Sequence, residues 1–182
     1  MKKFLRVFFS IACLLILFRG CIYRTVVAYQ ALGTRITYPA TDPELIQYLD
    51  KNAGLSDDAS VQAVINCSLD LTADRLRFTA ARNNTDPNRL FYTETAHCVG
   101  YAAFFTSACN FLFHKYHMDE TWTARPQIGQ LYCFGVNVHP YFDTPFFKDH
   151  DFAIIENKKT GERLAVDPNV YDYLCIRNIT LK

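Results

Sequence analysis

The sequence predicts an α+β domain in which a buried helix carrying a cysteine packs on an antiparallel sheet. Three observations predict it. A long apolar helical stretch opens at residues 95–102 (TAHCVGYA) and runs to about His117, two segments with helix-start signals precede it, and short apolar or β-branched runs separated by turns follow it. With 182 residues, 50% of them hydrophobic and 15% aromatic, the chain is long enough for one domain with a full core and is no candidate for disorder. A net charge of +1 offers no electrostatic footprint for nucleic acid, which removes that partner class.

Residues 1–28 read as an N-terminal signal or membrane anchor and residues 29–182 as the domain. Lys2, Lys3 and Arg6 form a basic start, and residues 7–18 (VFFSIACLLILF) form an apolar run that Arg19 interrupts, the pattern of an export signal. A spanning helix takes ~20 apolar residues, which this run reaches only with Gly20, Cys21, Ile22 and Tyr23 included. Val26-Val27-Ala28 lies far from Phe18 for a cleavage site, so an uncleaved anchor is expected, with a cleaved peptide or a lipoprotein modified at Cys21 as alternatives. Each outcome places the domain outside the cytoplasm, in the cell envelope if the source is bacterial, with a membrane as partner through the N-terminal segment.

In chain order, residues 24–38 are rich in β-branched and aromatic side chains and are expected to be extended. Thr41-Asp42-Pro43-Glu44 starts a helix that runs to about Asn52, since it joins an acceptor cap to a proline in the first turn. Gly54 ends it, and Ser56-Asp57-Asp58 is expected to cap a second helix with Val61, Val64, Ile65 and Leu69 on its apolar face. Residues 83–88 (NNTDPN) are turn-like and read as a surface loop leading towards Cys98. In the long helix almost no polar stripe remains between Val99 and Tyr116, so it should be buried on most sides. Residues 130–138, 151–155 and 163–166 read as strands, the last two joined by a hairpin across residues 157–161, and residues 170–179 as an edge strand.

The chemistry centres on Cys98. With Thr95 as N-cap, Cys98 sits in the first helical turn, where free N–H groups and the helix dipole favour a thiolate. A thiolate nucleophile takes a neighbouring base and the base an orienting acid. His150 opens one strand of the hairpin and Asp167 closes the other, and a tight connection near Lys158-Lys159 sets them nearly opposite each other, with a bulge at Gly161 moving the register by a residue or so.

The order Cys98 at the start of a buried helix, then Asp149-His150-Asp151-Phe152-Ala153, then Ala165-Val166-Asp167-Pro168, resembles the transglutaminase-like superfamily of papain-type folds, its small bacterial members in particular. The resemblance covers roughly residues 60–175 and implies Cys98 as nucleophile, His150 as base and Asp167 as orienting acid, with neither cofactor nor metal. It implies a cysteine peptidase or amidase acting on a peptide or protein through an acyl-thioester. Transglutaminase-type acyl transfer to an amine and a non-catalytic binding or scaffold domain are the alternatives, because membership of the superfamily does not fix the reaction. Where the family commonly carries glycine two residues before the cysteine, this chain has Ala96, and His97 adjoins the nucleophile.

Other constellations are weaker. His139 with Asp143 is the rival to His150; Tyr92 or Thr93 is the candidate oxyanion donor beside the Cys98 N–H. His114 and His117 share one side of a helix end with Cys109 nearby, a spacing that fits a solvated helix end better than zinc. Trp122 reads as packing. Cys67, Cys109, Cys133 and Cys175 each lie in an apolar stretch and are expected to be reduced and buried.

Overall fold

The computed structural model describes residues 2–182, and the chain is α+β. Its first part carries helices α1 (Lys2–Leu17) and α2 (Arg19–Val26), strand β1 (Val27–Thr34), and helices α3 (Pro43–Asn52) and α4 (Val61–Arg75). A two-residue strand β2 (Arg77–Phe78), helix α5 (Pro87–Thr93) and a second short strand β3 (Thr95–Ala96) lead into α6 (Cys98–Lys115). Strands β4 (Trp122–Cys133), β5 (Val136–Asn137), β6 (His150–Asn157) and β7 (Arg163–Val166), helix α7 (Pro168–Leu174) and strand β8 (Thr180–Leu181) complete it.

Three helices start on the same dipeptide. Asp42, Asp86 and Asp167 each cap a helix whose first residue is the following proline, and each carboxylate accepts first-turn N–H groups. At Asp167 this signal overrides the expected strand over residues 170–179, which contains α7 instead; the edge strand is the shorter β8. Ser60, not Ser56-Asp57-Asp58, caps α4, by accepting from the Ala63 N–H at 3.2 Å. The expected strand at residues 130–138 begins earlier, at Trp122, and breaks at a turn where Phe134 and Gly135 both take positive φ.

Helix α6 is buried on nearly every side, as the missing polar stripe predicts. Helices α4 and α7 pack on it from one direction and strands β4 and β6 from the other. The sheet runs in the order β7-β6-β4-β1-β8 and departs from the expected antiparallel arrangement, because β8 pairs parallel with β1. It is nearly closed, since the Ile179 N–H beside β8 donates to the Ala165 carbonyl of β7 at 3.0 Å. The strands therefore bury both faces. Ala153, Ile155 and Val166 face the main core under α6, while Tyr29, Phe152, Ile154, Ala165 and Ile179 fill a second, smaller core inside the curl.

The N-terminal segment shares its last part with the domain. Strand β1 begins at Val27, Tyr23 packs on the second core, and Arg19 donates from Nε to the Leu174 carbonyl at 2.6 Å. Along α1, Phe4, Leu5, Phe8, Phe9, Leu14, Leu15, Ile16 and Leu17 are exposed. No single described helix is long and apolar enough to cross a membrane; α1 and α2 reach that length and composition only together, bent by 66°.

Candidate active site

Cys98 is the first residue of α6, and the helix start differs from the sequence expectation. Thr95 is engaged in the short β2–β3 pairing, and His97 is the N-cap, its Nδ1 accepting from the Val99 N–H at 3.3 Å. That bond leaves the His97 proton on Nε2. Close approach at this helix start is possible because residue 100 is glycine: a Cβ there would lie 2.7 Å from the Ala96 Cβ and 3.1 Å from Leu90 Cδ1. The methyl of Ala96 thus occupies space that a side chain at residue 100 would need.

The hairpin brings His150 and Asp167 together, in a register two residues from direct opposition. Ala153 pairs with Val166, and continuing that register sets Asp167 opposite Phe152. An even displacement keeps His150, Phe152 and Asp167 on one face of the sheet, whereas a one-residue slip would have turned the acid away. His150 Nε2–H donates to Asp167 Oδ2 at 2.6 Å, and its other nitrogen is left for Cys98, which lines the same cavity and whose thiol it perturbs.

Asp167 is fully buried, yet its carboxylate is well satisfied. Oδ2 also accepts from the Tyr29 hydroxyl at 2.8 Å, Oδ1 accepts the Asn169 and Val170 N–H groups, and the Tyr23 hydroxyl donates to Tyr29 at 2.5 Å. Burial pushes the Asp167 carboxyl up, but the charge of His150 and these donors outweigh it and hold it below the usual range. Burial pushes His150 down, and the charge of Asp167 together with bonds to Asp167 and Cys98 carries it well above the ordinary imidazole value. Burial likewise pushes the Cys98 thiol up; hydrogen bonds from His150 and His97, the imidazolium charge and the Asp151 N–H bring it down to about 7.

A second ion pair braces the strand that carries His150. Arg35 grips the Asp151 carboxylate with Nε on Oδ2 and with Nη2 on Oδ1 at 2.9 Å, and Asp149 lies 3.9 Å from the same guanidinium. Burial raises the Asp151 carboxyl against the pull of Arg35.

His139 does not serve as the rival base. It is buried, Nε2 accepts from the Leu131 N–H at 2.9 Å and Nδ1–H donates to the Phe147 carbonyl at 2.6 Å, so both ring nitrogens are spent on backbone. Neither expected oxyanion side chain is free for that role: Tyr92 donates to both Asp42 oxygens at 2.9 and 3.0 Å, and the Thr93 hydroxyl turns back onto the Leu90 carbonyl of its own helix. His114 pairs with Asp119, His117 takes a positive φ at the helix end, and Cys109 is sealed in the core, where burial raises its thiol. Among the described residues no group of three or more such side chains could hold a metal. All seven cysteines are free; of the four expected to be buried only Cys109 is, Cys67 and Cys133 are half-buried, and Cys175 is exposed where it ends α7 in the left-handed region. Trp122 packs against the main core.

Beside Cys98 and His150 lies a cavity of about 310 Å³ walled by Phe78, Leu131, Val138, Phe142, Phe146 and Phe147, with Asp149 and Asn169 on its polar side. A second cavity of about 340 Å³ is lined by Arg35, Tyr38, Val99, Ala103 and Ile128 among others.

No protein-family model, curated protein or solved structure matches the chain. The roles of Tyr29, Tyr23 and Arg35 have no local signature in the sequence; Arg35 and its partner Asp151 are 116 positions apart.

Proposed function

We propose that the chain is a thiol hydrolase of transglutaminase-like, papain-related type that cleaves an amide, held at a membrane by its N-terminal helices. The observation that carries this reading is one constellation: a Cys98 thiol at a helix start, on the same cavity as His150, whose Nε2 lies 2.6 Å from a buried Asp167. A structural cysteine has no use for a pKa near 7 or for an oriented imidazole.

The thiolate attacks the amide carbonyl carbon, forming a C–S bond while the carbonyl electrons move to oxygen. The Cys98 N–H, which at a first helical position has no intrahelical acceptor, is the donor at hand for that oxyanion. Collapse breaks the C–N bond, and the imidazolium of His150 gives its proton to the departing amine. Neutral His150 then takes a proton from water as its oxygen attacks the thioester, releasing the carboxylic acid and restoring the thiolate–imidazolium pair. Asp167 holds the ring and its charge throughout. The exposed apolar face of α1 supports attachment to a membrane.

Limited iodoacetamide at pH 6, followed by peptide mapping, tests the site. Cys98 should be alkylated first among the seven cysteines; His150→Ala should slow this sharply and His139→Ala much less. Product masses separate the reactions, since hydrolysis adds water while transfer incorporates a fluorescent primary amine. A Cys98 that reacts no faster than Cys109 would leave the binding-domain alternative standing.

A further inference from the structure

Sequence reading singled out no substrate pocket, and the cavity beside Cys98 and His150 has a chemical character of its own. Six of its lining residues are aliphatic or aromatic and lysine and arginine are absent from its wall, so it offers apolar contact at bonding reach of the nucleophile. The wall is assembled from distant segments. Phe78 is placed there because β2 pairs with β3 in the register Phe78↔Ala96, two residues before the nucleophile. Phe142, Phe146 and Phe147 come from the irregular segment between β5 and β6, where Phe142 and Phe147 rings meet at 4.8 Å and Phe146 and Phe147 at 5.0 Å. His139 fixes this segment by holding the Phe147 carbonyl.

The cavity's rim also leads somewhere. Phe78 meets Phe146 on one side and Tyr173 on the other, each at 6.4 Å. Leu174, next along, lines an apolar groove with Leu15, Ile22 and Val26 of the N-terminal helices. Exposed Phe134, at the β4–β5 turn, hydrogen-bonds through its N–H to the Val26 carbonyl at 2.8 Å. Exposed apolar side chains thus lie at intervals between the Phe78 edge of the cavity and the groove beside the N-terminal helices.

We infer that the cavity takes an aliphatic acyl chain, so that the substrate is an N-acyl amide of a lipid-type acid whose chain reaches Cys98 along this rim. The inference rests on the thiol-hydrolase reading and adds the substrate class to it. The chain lies in the cavity, the carbonyl carbon meets Sγ, and the amine leaves past His150 with the proton that His150 supplies.

Hydrolysis of p-nitrophenyl acetate, butyrate, hexanoate and octanoate by the full chain in detergent micelles tests this, because the leaving group is constant and only the acyl part changes. The expected result is a rise in kcat/KM of about fourfold for each methylene added, the factor that full burial of a methylene gives. Phe142→Ser should flatten the octanoate-to-acetate ratio. A flat or falling series in the native protein overturns the inference, as does faster turnover of the N-acetylphenylalanine ester than of the octanoate, which would mark a peptide side-chain pocket. Either result with Cys98 still alkylated first by iodoacetamide defeats the acyl-chain inference alone; absence of both ester turnover and preferential alkylation defeats the thiol-hydrolase reading with it.

Discussion

Tyr29, near the start of β1, donates its hydroxyl to Asp167 Oδ2 at 2.8 Å across 138 positions of sequence, so the chain's first strand completes the environment of the acid that orients His150. Because Tyr29 also accepts from Tyr23, the last turns of the N-terminal helices are linked to the site through two hydroxyls. Replacing Tyr29 by Phe keeps the ring in the second core and removes only this link. The expected outcome is a stability loss of about 1–2 kcal/mol by urea denaturation, from one lost bond to a charged group and a stranded Tyr23 hydroxyl. Cys98 alkylation should slow modestly, since Asp167 keeps three of its donors.

The pH dependence has a defined sign. The Cys98 thiol is lowered to about 7, so its thiolate is present above that pH and is lost as pH falls through it. His150 is raised, so its imidazolium persists above the ordinary imidazole value and is lost only as pH rises through the higher folded one. Iodoacetamide incorporation should therefore show a midpoint near 7, and amide hydrolysis a bell whose alkaline limb lies above it. In His150→Ala the thiol keeps its burial and loses the cation, so the midpoint should move up and labelling at pH 6 fall by about tenfold for each unit of that move.

Asp167 has two duties, and two substitutions separate them. Asn keeps an oxygen that can cap α7 and removes the charge that holds the imidazolium; it should slow alkylation at low cost in stability. Ala removes both. It should in addition lose about 1 kcal/mol of capping and about 1–3 kcal/mol for the stranded Tyr29 hydroxyl, read as a lower melting temperature.

Gly100→Ala tests how tightly the helix start is fitted. The new methyl would meet the Ala96 Cβ at 2.7 Å, an atom attached directly to backbone that has no rotamer to escape into. A loss of about 1–3 kcal/mol is expected, with slower Cys98 alkylation because the first turn must move away from His150. The double change Ala96→Gly, Gly100→Ala should recover much of both.

Truncations report where the domain begins. A chain starting at Phe18 loses only α1 and should keep its melting temperature. One starting at Tyr29 loses Val27 and Ala28 from the pairing of β1 with β4, the Tyr23 hydroxyl and the Arg19 bond to Leu174, and should melt several degrees lower.

The sequence by itself determined what a few neighbouring residues can encode. The lack of a polar stripe between Val99 and Tyr116 marked the buried helix, and the hairpin around Lys158-Lys159 set His150 near Asp167. Asp42-Pro43 marked a helix start, and the same pair at Asp167-Pro168, read as a strand end, is in the structure both the cap of α7 and the acid of the site. Tertiary structure decided the rest. His97 rather than Thr95 caps α6 because β2 draws Thr95 into a strand, and β8 closes the sheet in parallel because Thr180 and Leu181 return beside Ala28 and Tyr29. His139 lost its candidacy only when its ring nitrogens met the Leu131 N–H and the Phe147 carbonyl. Arg35 on Asp151 and Tyr29 on Asp167 arise where the chain closes on itself over more than a hundred residues. Periodicity and capping act over one or two turns, whereas such pairs depend on packing that forms only once the sheet has curled.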